Sequence, residues 1–363
     1  MAASPKKQSV KYIEQGKKII GCFPYYVPEE LVYAADMVPF GVWGRQGTIN
    51  AAKEYFASFY CTIAQMNLEM GLTGVLDGLS GVIVTSICDT LRPLSQNFRV
   101  AVPQIPFMFL SHPQNRKPEY GITFTMAQYG NLKSKLEEIS GQKITDEKLQ
   151  NAIKIYNKSR NERRKFVKLA GEHPDVVTAV KRSAVLKSSY FMLKCEYAKL
   201  LNELNTELEK LPIIKWNGIK VLSSGIIMDS VSLLKIFDDN KIAIVADDVA
   251  HESRGFDVDA PENEADPLRA LALHFASQDN DPLLYDPEII KRPIHVVKKI
   301  KDSGAQGAVI MMMTFCDPEE LEYPSLKKAL DEAGIPHISL GFDQQMVDFG
   351  QAKTSLQAFA ESI

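Results

Sequence analysis

Short apolar runs alternate with helix-periodic stretches along the first third of the chain. The runs at 38–44 and 81–86, "VPFGVWG" and "GVIVTS", are β-branched or punctuated by glycine, and they predict buried strands. The stretch 54–72 carries apolar residues three and four positions apart, which predicts a helix leading into the second strand. Pro28, followed by two glutamates, indicates the start of another helix. This alternation is typical of a parallel sheet covered by helices.

The pattern changes in the middle of the chain and then returns. Long, charged, helix-periodic stretches predict a helical region there, with breaks at glycines such as Gly141 and Gly171. Strands and helices then alternate again, with Ser230 as a candidate helix cap and Gly334 as a candidate helix end. The C-terminal third therefore resembles the first.

We predict an α/β fold with two Rossmann- or flavodoxin-like lobes, each built on a parallel sheet, and a helical region between them. The predicted parts are an N-terminal lobe at 1–125, the helical region at 126–215 and a C-terminal lobe at 216–363. A chain of 363 residues is long enough to bury two such cores.

Composition excludes several classes of partner. The formal net charge of −3 provides no electrostatic attraction for nucleic acid or for an acidic membrane surface. No apolar stretch approaches the roughly 20 residues that a membrane span requires, and the N-terminus lacks the apolar region of a secretory signal. Five cysteines without close pairs do not form a disulfide framework, so we expect a protein of the reduced cytoplasm.

Two cysteine–aspartate pairs end apolar strands, one in each predicted lobe. Cys88 follows "GVIVTS" and Cys316 follows "GAVIMMM", and ligands of open parallel sheets bind at the carboxyl ends of strands. Cys61 is expected on the apolar face of the helix that leads into the Cys88 strand. If the lobes face each other, the three thiolates can converge on one soft metal centre. The alternative is that each thiol packs as a small apolar side chain.

The other residues in these segments have simpler interpretations. Cys22, at the start of a loop, and Cys195, inside a long helix, are expected to be structural. Asp89 and Asp317 are expected to cap the helices that follow them.

The spacing of the cysteines bears on the kind of metal. Structural zinc sites use close pairs such as C-x-x-C, and the chain has none. Three widely separated thiolates with an open fourth position suit an iron–sulfur cluster that accepts an additional ligand.

Several segments resemble, in the same order, those of a known family. They are "IIGCFPYYVPEELVYAADMVPFGVWG", "FYCTIAQ", "SICDTLR", "VLSSGIIMDSVSLLKIF", "TFCDPEELEYPSLKKALDEAGIPHISLGFD" and the tail "GQAKTSLQAFAESI". The family is that of the 2-hydroxyacyl-CoA dehydratase subunits, which are related to benzoyl-CoA reductase. The resemblance covers nearly the whole chain.

The resemblance implies a cofactor, partners and a reaction. Cys61, Cys88 and Cys316 would each ligate one [4Fe–4S] cluster, with a non-cysteine ligand on the fourth iron. The chain would pair with a related, larger subunit as a heterodimer and receive one electron from an ATP-hydrolysing iron–sulfur activator. The complex would convert an (R)-2-hydroxyacyl-CoA into the (E)-2-enoyl-CoA by eliminating water. The resemblance identifies no catalytic residue.

Two departures from the family pattern indicate which subunit this is. Pro24-Tyr25-Tyr26 stands where many members have Cys-Ser before the tyrosine, and Ser355 follows Thr354 where an arginine is common. Both favour the smaller, beta-type subunit, which relays the electron to the substrate-binding partner. The alternatives are a low-potential reductase subunit of the benzoyl-CoA type, a non-catalytic electron-transfer or scaffold subunit, and a metal-free small-molecule binding protein.

A basic run in the helical region has no place in this scheme. It consists of Arg160, Arg163, Arg164 and Lys165, and it predicts a solvated helix face. A docking site for the activator or for CoA phosphates is the alternative.

Overall fold

Two four-stranded parallel sheets organise the computed structural model, which describes residues 4–23, 26–286 and 291–363. The first lobe contains α1 (Pro5–Glu14), β1 (Ile19–Phe23), α2 (Glu29–Ala34), β2 (Val38–Gly41), α3 (Thr62–Leu72), β3 (Gly81–Thr85), α4 (Leu91–Ala101) and β4 (Phe107–Leu110). Four helices follow: α5 (Glu119–Ser140), α6 (Asp146–Glu172), α7 (Ala179–Ser188) and α8 (Lys194–Leu208). Pro24 and Tyr25, part of the opening segment, lie outside the described residues.

The second lobe repeats the arrangement of the first. It contains β5 (Ile219–Gly225), α9 (Val231–Asp239), β6 (Ile242–Val249), α10 (Pro267–Ala276), α11 (Lys291–Ser303), β7 (Gly307–Met313), α12 (Asp317–Glu332), β8 (His337–Phe342) and α13 (Gly350–Ser362). The strand orders are β2-β1-β3-β4 and β6-β5-β7-β8, and every pair of neighbouring strands is parallel. The predicted two-lobe α/β fold is confirmed, whereas the boundaries at 125 and 215 stay predictions.

This strand order creates a switch point in each sheet. In the first sheet, β2 lies on one side of β1, and β3 and β4 lie on the other, so the connections diverge between β1 and β3. In the second sheet they diverge in the same way between β5 and β7. Crevices form at the carboxyl ends of strands at such points. The loops after β3 and β7 therefore occupy equivalent positions in the two lobes.

The two lobes share one apolar core. Side chains from the end of the first sheet, including Phe40 and Trp43, belong to the same buried cluster as Val221 of β5 and Met313 of β7. Every residue of β1 and β3 is buried, which explains their uninterrupted apolar sequences. The carboxyl ends of the sheets are consequently held against each other by packed side chains.

Helix boundaries follow the predicted punctuation in some places and differ in others. Ser230 caps α9 by accepting from the Leu233 amide. Gly334 adopts the predicted left-handed conformation at a helix end, and Gly141, predicted as a break, ends α5 in the same conformation. Gly171 does not break α6; a Cβ there would approach the Val245 carbonyl oxygen to 2.8 Å, so glycine permits contact with β6.

The expected helix over 54–72 begins later than its periodicity indicates. A 3₁₀ turn occupies Ala51–Glu54, and α3 starts only at Thr62. Phe59, which fits the helical period, is 64% exposed. The apolar spacing before Cys61 is therefore not helical.

The predicted solvated face of the basic run is wrong for two of its members. Arg160 and Arg163 are only 4% and 6% exposed. Arg160 pairs with Glu30 of α2, whereas Arg164, one position after Arg163, is partly exposed and pairs with Asp259. The inner face of α6 is thus a buried cationic surface.

None of the helices in the described part of the chain is long and apolar enough to cross a membrane.

A buried arginine between α7 and β6 provides a test of the fold. Arg182 donates to Asp247 and Glu252, and all three side chains are almost completely buried. We expect Arg182→Ala to lower the free energy of unfolding by about 3–5 kcal/mol, because it leaves two buried carboxylates without their cation. Urea unfolding measures the change. Lys181→Ala, on the exposed side of the same helix, is the control and should change stability by about 0.5 kcal/mol or less; equal losses in the two variants would contradict the assignment.

Candidate functional site

The three cysteines lie at the same edge of the fold. Cys61 immediately precedes α3, Cys88 lies in the turn between β3 and α4, and Cys316 immediately precedes α12. Helices that connect parallel strands begin at the edge where strands end, so the start of α3 and the end of β3 lie at that edge of the first sheet, and the start of α12 lies at the corresponding edge of the second. Cys61 is therefore at a helix start, and not on the apolar face of a helix as its periodicity predicted.

Contacts of Thr62 with the second lobe link the segment of Cys61 to the segment of Cys316. Thr62, the residue after Cys61, places its Oγ1 3.6 Å from the Sδ of Met313 at the end of β7. The same Oγ1 accepts a hydrogen bond of 3.0 Å from the amide of Gln344, just after β8. The start of α3 is thus fixed against the strands that lead to Cys316.

The charges of these thiols influence one another's pKa values. Burial is the largest cause that raises the pKa of each thiol, to about 12 for Cys61. A negative charge on Cys88 raises the pKa of Cys61 further, and charges on Cys61 and Cys88 both raise that of Cys316. The convergence of the three cysteines on one centre stays a prediction.

Backbone N–H groups lower the pKa of each of the three thiols. The donors are Ile63 and Ala64 for Cys61, Thr90 and Leu91 for Cys88, and Glu319 for Cys316. All of them lie at or just before the first turn of the following helix, where backbone N–H groups have no partner within the helix. These bonds lower the thiol pKa values against the larger effect of burial. Such donors also stabilise a thiolate that carries charge to a metal.

The turn that presents Cys316 has an unusual backbone. Phe315 has a φ of +62°, a left-handed conformation that is rare for an aromatic residue, and its ring is 43% exposed. Its amide donates a 3.0 Å hydrogen bond to Oε1 of Glu320 in the first turn of α12. Strained residues of this kind cluster at functional sites.

The expected capping by Asp89 and Asp317 is wrong. Thr90 and Cys316 occupy the cap positions of α4 and α12, and neither forms a side-chain capping bond. Asp317 is instead the first residue of α12, where a carboxylate interacts favourably with the helix dipole. Its charge also raises the pKa values of Cys61 and Cys88.

A buried ionic network holds α12 and therefore Cys316. Asp248, at the end of β6, pairs with Arg254 at 3.1 Å and with Arg292 at 2.7 Å. Arg254 also lies 3.7 Å from Glu319, and Arg292 pairs with Glu322. In the sequence, the only sign of this network is the pair Asp247 and Asp248 at a strand end. The sequence does not show which arginines these aspartates bind.

The other two cysteines lie elsewhere. Cys22 is buried within β1, and not at the start of a loop as predicted; burial raises the pKa of its thiol well above the ordinary value. Cys195 is exposed in the first turn of α8. All five cysteines are free, as predicted. Across residues 4–23, 26–286 and 291–363, no three His, Cys, Asp or Glu side chains are grouped closely enough to hold a single metal ion.

A buried carboxyl group with a raised pKa lies behind this network, 4.0 Å from Arg254. Asp281 is buried, and burial raises its pKa to about 8. Its Oδ2 accepts a 3.0 Å hydrogen bond from the Tyr26 hydroxyl, and its Oδ1 accepts one of 2.8 Å from the Leu283 amide. The group is therefore mainly neutral at pH 7 in the folded protein.

Comparisons with known proteins agree on one family. The family described as "2-hydroxyglutaryl-CoA dehydratase, D-component" matches residues 24–363. The chain is 57% identical to the beta subunit of (R)-2-hydroxyglutaryl-CoA dehydratase from Acidaminococcus fermentans, over 100% of this chain and 97% of that protein. It is 45% identical to the (R)-phenyllactyl-CoA dehydratase beta subunit of Clostridium sporogenes, over 99% and 96%. It is also 26% identical to a benzoyl-CoA reductase subunit from Thauera aromatica, over 97% and 92%.

The raised pKa of Asp281 predicts a pH-dependent stability. The pKa of Asp281 rises from 3.8 in the unfolded chain to about 8 on folding. The contribution of this group to the free energy of unfolding is therefore fully present below pH 3.8 and is lost as pH rises through 8. Between pH 5 and 8 the free energy of unfolding of the wild type should fall by up to about 1.4 kcal/mol per pH unit relative to Asp281→Asn. Urea unfolding at each pH measures this slope.

The exposed Asp239→Asn is the control for this prediction and should keep the wild-type slope. Parallel pH profiles for the wild type and Asp281→Asn would show that the carboxyl group does not take up a proton on folding.

Proposed function

The chain belongs to the 2-hydroxyglutaryl-CoA dehydratase D-component family, and from this membership we propose that it is the beta-type subunit of an (R)-2-hydroxyacyl-CoA dehydratase, a hydro-lyase. The complex eliminates water to form the (E)-2-enoyl-CoA. The full-length likeness to two dehydratase beta subunits supports this assignment, and a beta subunit requires a partner subunit. The partner in this proposal is the larger, related subunit of a heterodimer.

We propose further that Cys61, Cys88 and Cys316 hold one [4Fe–4S] cluster, with a non-cysteine ligand on the fourth iron. The observation that carries this proposal is that all three cysteines lie at or just before a helix start after a strand of a parallel sheet, where backbone N–H groups lower the thiol pKa values. The three thiols are coupled electrostatically without being grouped around one ion position in the described part of the chain. Thiolates spaced in this way suit a multi-iron centre better than a single ion.

The residues of this chain perform definite tasks in such a centre. The raised pKa values keep the three thiols protonated at neutral pH, so binding of iron must displace their protons. The amide donors then stabilise the sulfurs as thiolates, and the surrounding apolar side chains exclude water. When bound, the cluster supplies one-electron chemistry at low potential.

Electron transfer answers a specific chemical difficulty of this reaction. The hydroxyl group is α to the thioester, so the proton that leaves is on the unactivated β-carbon, and no side chain can be tuned far enough to remove it. One electron added to the thioester gives a ketyl radical anion, which expels the α-hydroxyl and makes the β-proton acidic. In our proposal this subunit relays that electron from an ATP-hydrolysing activator to the substrate-binding partner, in the reduced cytoplasm.

The comparisons favour a dehydratase over a reductase of the benzoyl-CoA type. Identity is 57% and 45% to the two dehydratase beta subunits and 26% to the benzoyl-CoA reductase subunit. (R)-2-hydroxyglutaryl-CoA is accordingly the first substrate to assay, because the 57% identical relative is named for it.

Iron and sulfide content test the cluster directly. We expect about four irons and four sulfides per chain in anaerobically purified protein, and a large loss in Cys61→Ala, Cys88→Ala and Cys316→Ala. Cys195→Ala, at an exposed cysteine outside the site, is the matched control and should keep the wild-type content. Wild-type protein without iron, or equal iron in the Cys88 and Cys195 variants, would reject the cluster.

A separate assay tests the reaction. The chain is combined with its larger partner and the activator, and dehydration of (R)-2-hydroxyglutaryl-CoA is measured beside ring reduction of benzoyl-CoA. Dehydration without ring reduction is expected. The chain without its partner should retain iron but show no dehydration, since the relay proposal places the substrate in the other subunit.

A further inference from the structure

A partly open cavity of about 90 Å³ lies where the helical region meets both lobes. Its lining comes from α2, α6 and α10 and from the ends of β1 and β2, and it includes none of Cys61, Cys88 and Cys316. The aromatic part of the lining consists of Tyr26, Trp43, Tyr129, Tyr156, Tyr190 and Phe275. A cavity of this size holds several waters or a small organic molecule.

Most of the charged groups around this cavity are neutralised by partners. Arg160 pairs with Glu30, and Lys194 lies 2.9 Å from Glu29. Arg254 pairs with Asp248 in the network described above. His274 is neutral, because burial lowers its pKa well below the ordinary value.

Arg163 is the exception in this lining. Its side chain is 94% buried, its Nε donates to the Ser159 carbonyl oxygen at 3.3 Å, and its guanidinium lies 4.8 Å from the centre of the Phe256 ring. Within the described residues, no carboxylate lies at ion-pair distance from Arg163, Glu29 acts on it only at longer range, and its two Nη groups have no hydrogen-bond acceptor. Both Nη atoms keep some accessible surface, because neither is a fully enclosed polar atom without a partner. These donors therefore face the cavity.

A buried cation without a counter-ion is costly, which indicates that something else neutralises it. We propose that the cavity binds a small organic acid through its carboxylate, with Arg163 as the anchoring residue. One unpaired positive charge matches one negative charge on the ligand. A guanidinium fork matches a planar carboxylate through two parallel hydrogen bonds, and the aromatic walls accommodate its carbon atoms.

The spacing along α6 explains how the sequence builds this site. Tyr156, Arg160 and Arg163 occur at positions i, i+4 and i+7, which places all three on one helix face, toward the cavity. Arg164 lies off that face and reaches Asp259 instead. The site goes beyond the proposed electron relay, because none of the three cysteines contributes to it.

Equilibrium dialysis of the purified full-length chain against radiolabelled acetate tests the proposal. Sodium chloride of matched ionic strength is present throughout, so that nonspecific ion binding is equal in all samples. We expect acetate to bind the wild type and to bind Arg163→Met at least tenfold more weakly. Arg164→Met, the neighbouring arginine on the surface, is the control and should bind acetate as the wild type does. Absence of acetate binding to the wild type, or equal binding to Arg163→Met, would overturn the proposal.

A second measurement shows whether Arg163→Met remains folded. Because methionine keeps the volume of the site and removes an unpaired buried charge, this variant should melt at the same temperature as the acetate-free wild type or higher. Acetate should raise the melting temperature of the wild type and of Arg164→Met but not of Arg163→Met. A lower melting temperature for Arg163→Met in the absence of acetate would show that the arginine is already satisfied within the protein, against the proposal. Neither readout depends on iron, on the partner subunit or on dehydration.

Discussion

The direction of the strands is the constraint on which the candidate site depends. In a parallel sheet every strand ends at the same edge, and every connecting helix begins there. A thiol placed after a strand or before a helix at that edge therefore lies next to the first turn of a helix, whose backbone N–H groups have no partner within the helix. Cys61, Cys88 and Cys316 each follow this rule, although they come from distant parts of the chain. An antiparallel arrangement would have scattered the helix starts over both edges.

Burial and charge act in opposite directions at this edge. Burial keeps the thiols neutral, while the amide donors favour the thiolate, and burial is the larger effect in the protein alone. A positive centre would reverse that balance. The network of Asp248, Arg254 and Glu319 makes the position of Cys316 rigid without adding cations next to the sulfurs. Glu319 of this network also raises the pKa of the Cys316 thiol.

The sequence predicted what depends on local pattern and missed what depends on distant partners. Strand and helix alternation sufficed for the two lobes, and the repeated Cys-Asp strand ends sufficed for Cys88 and Cys316. The start of α3 was missed because the residues around Phe59 share its apolar spacing without forming a helix. The burial of Arg160 was missed because its partner, Glu30, is 130 residues away. Charged residues were interpreted as solvated because a single sequence does not show which carboxylates fold against them.

Each lobe has two equivalent positions for a cysteine, one after its third strand and one before the helix that leads into that strand. The repeated topology explains why only three of these four positions carry a cysteine. Cys88 and Cys316 occupy the same place, after the third strand of each lobe. Cys61 precedes the helix that leads into that strand, and the corresponding helix of the second lobe is α11. There the first turn carries Arg292, which binds Asp248 and Glu322 and so orients the helix that follows Cys316. In the first lobe, this helix start carries Cys61. In the second lobe, it carries Arg292, which holds the helix that follows Cys316 in place. In our proposal, a ligand other than cysteine therefore holds the fourth iron.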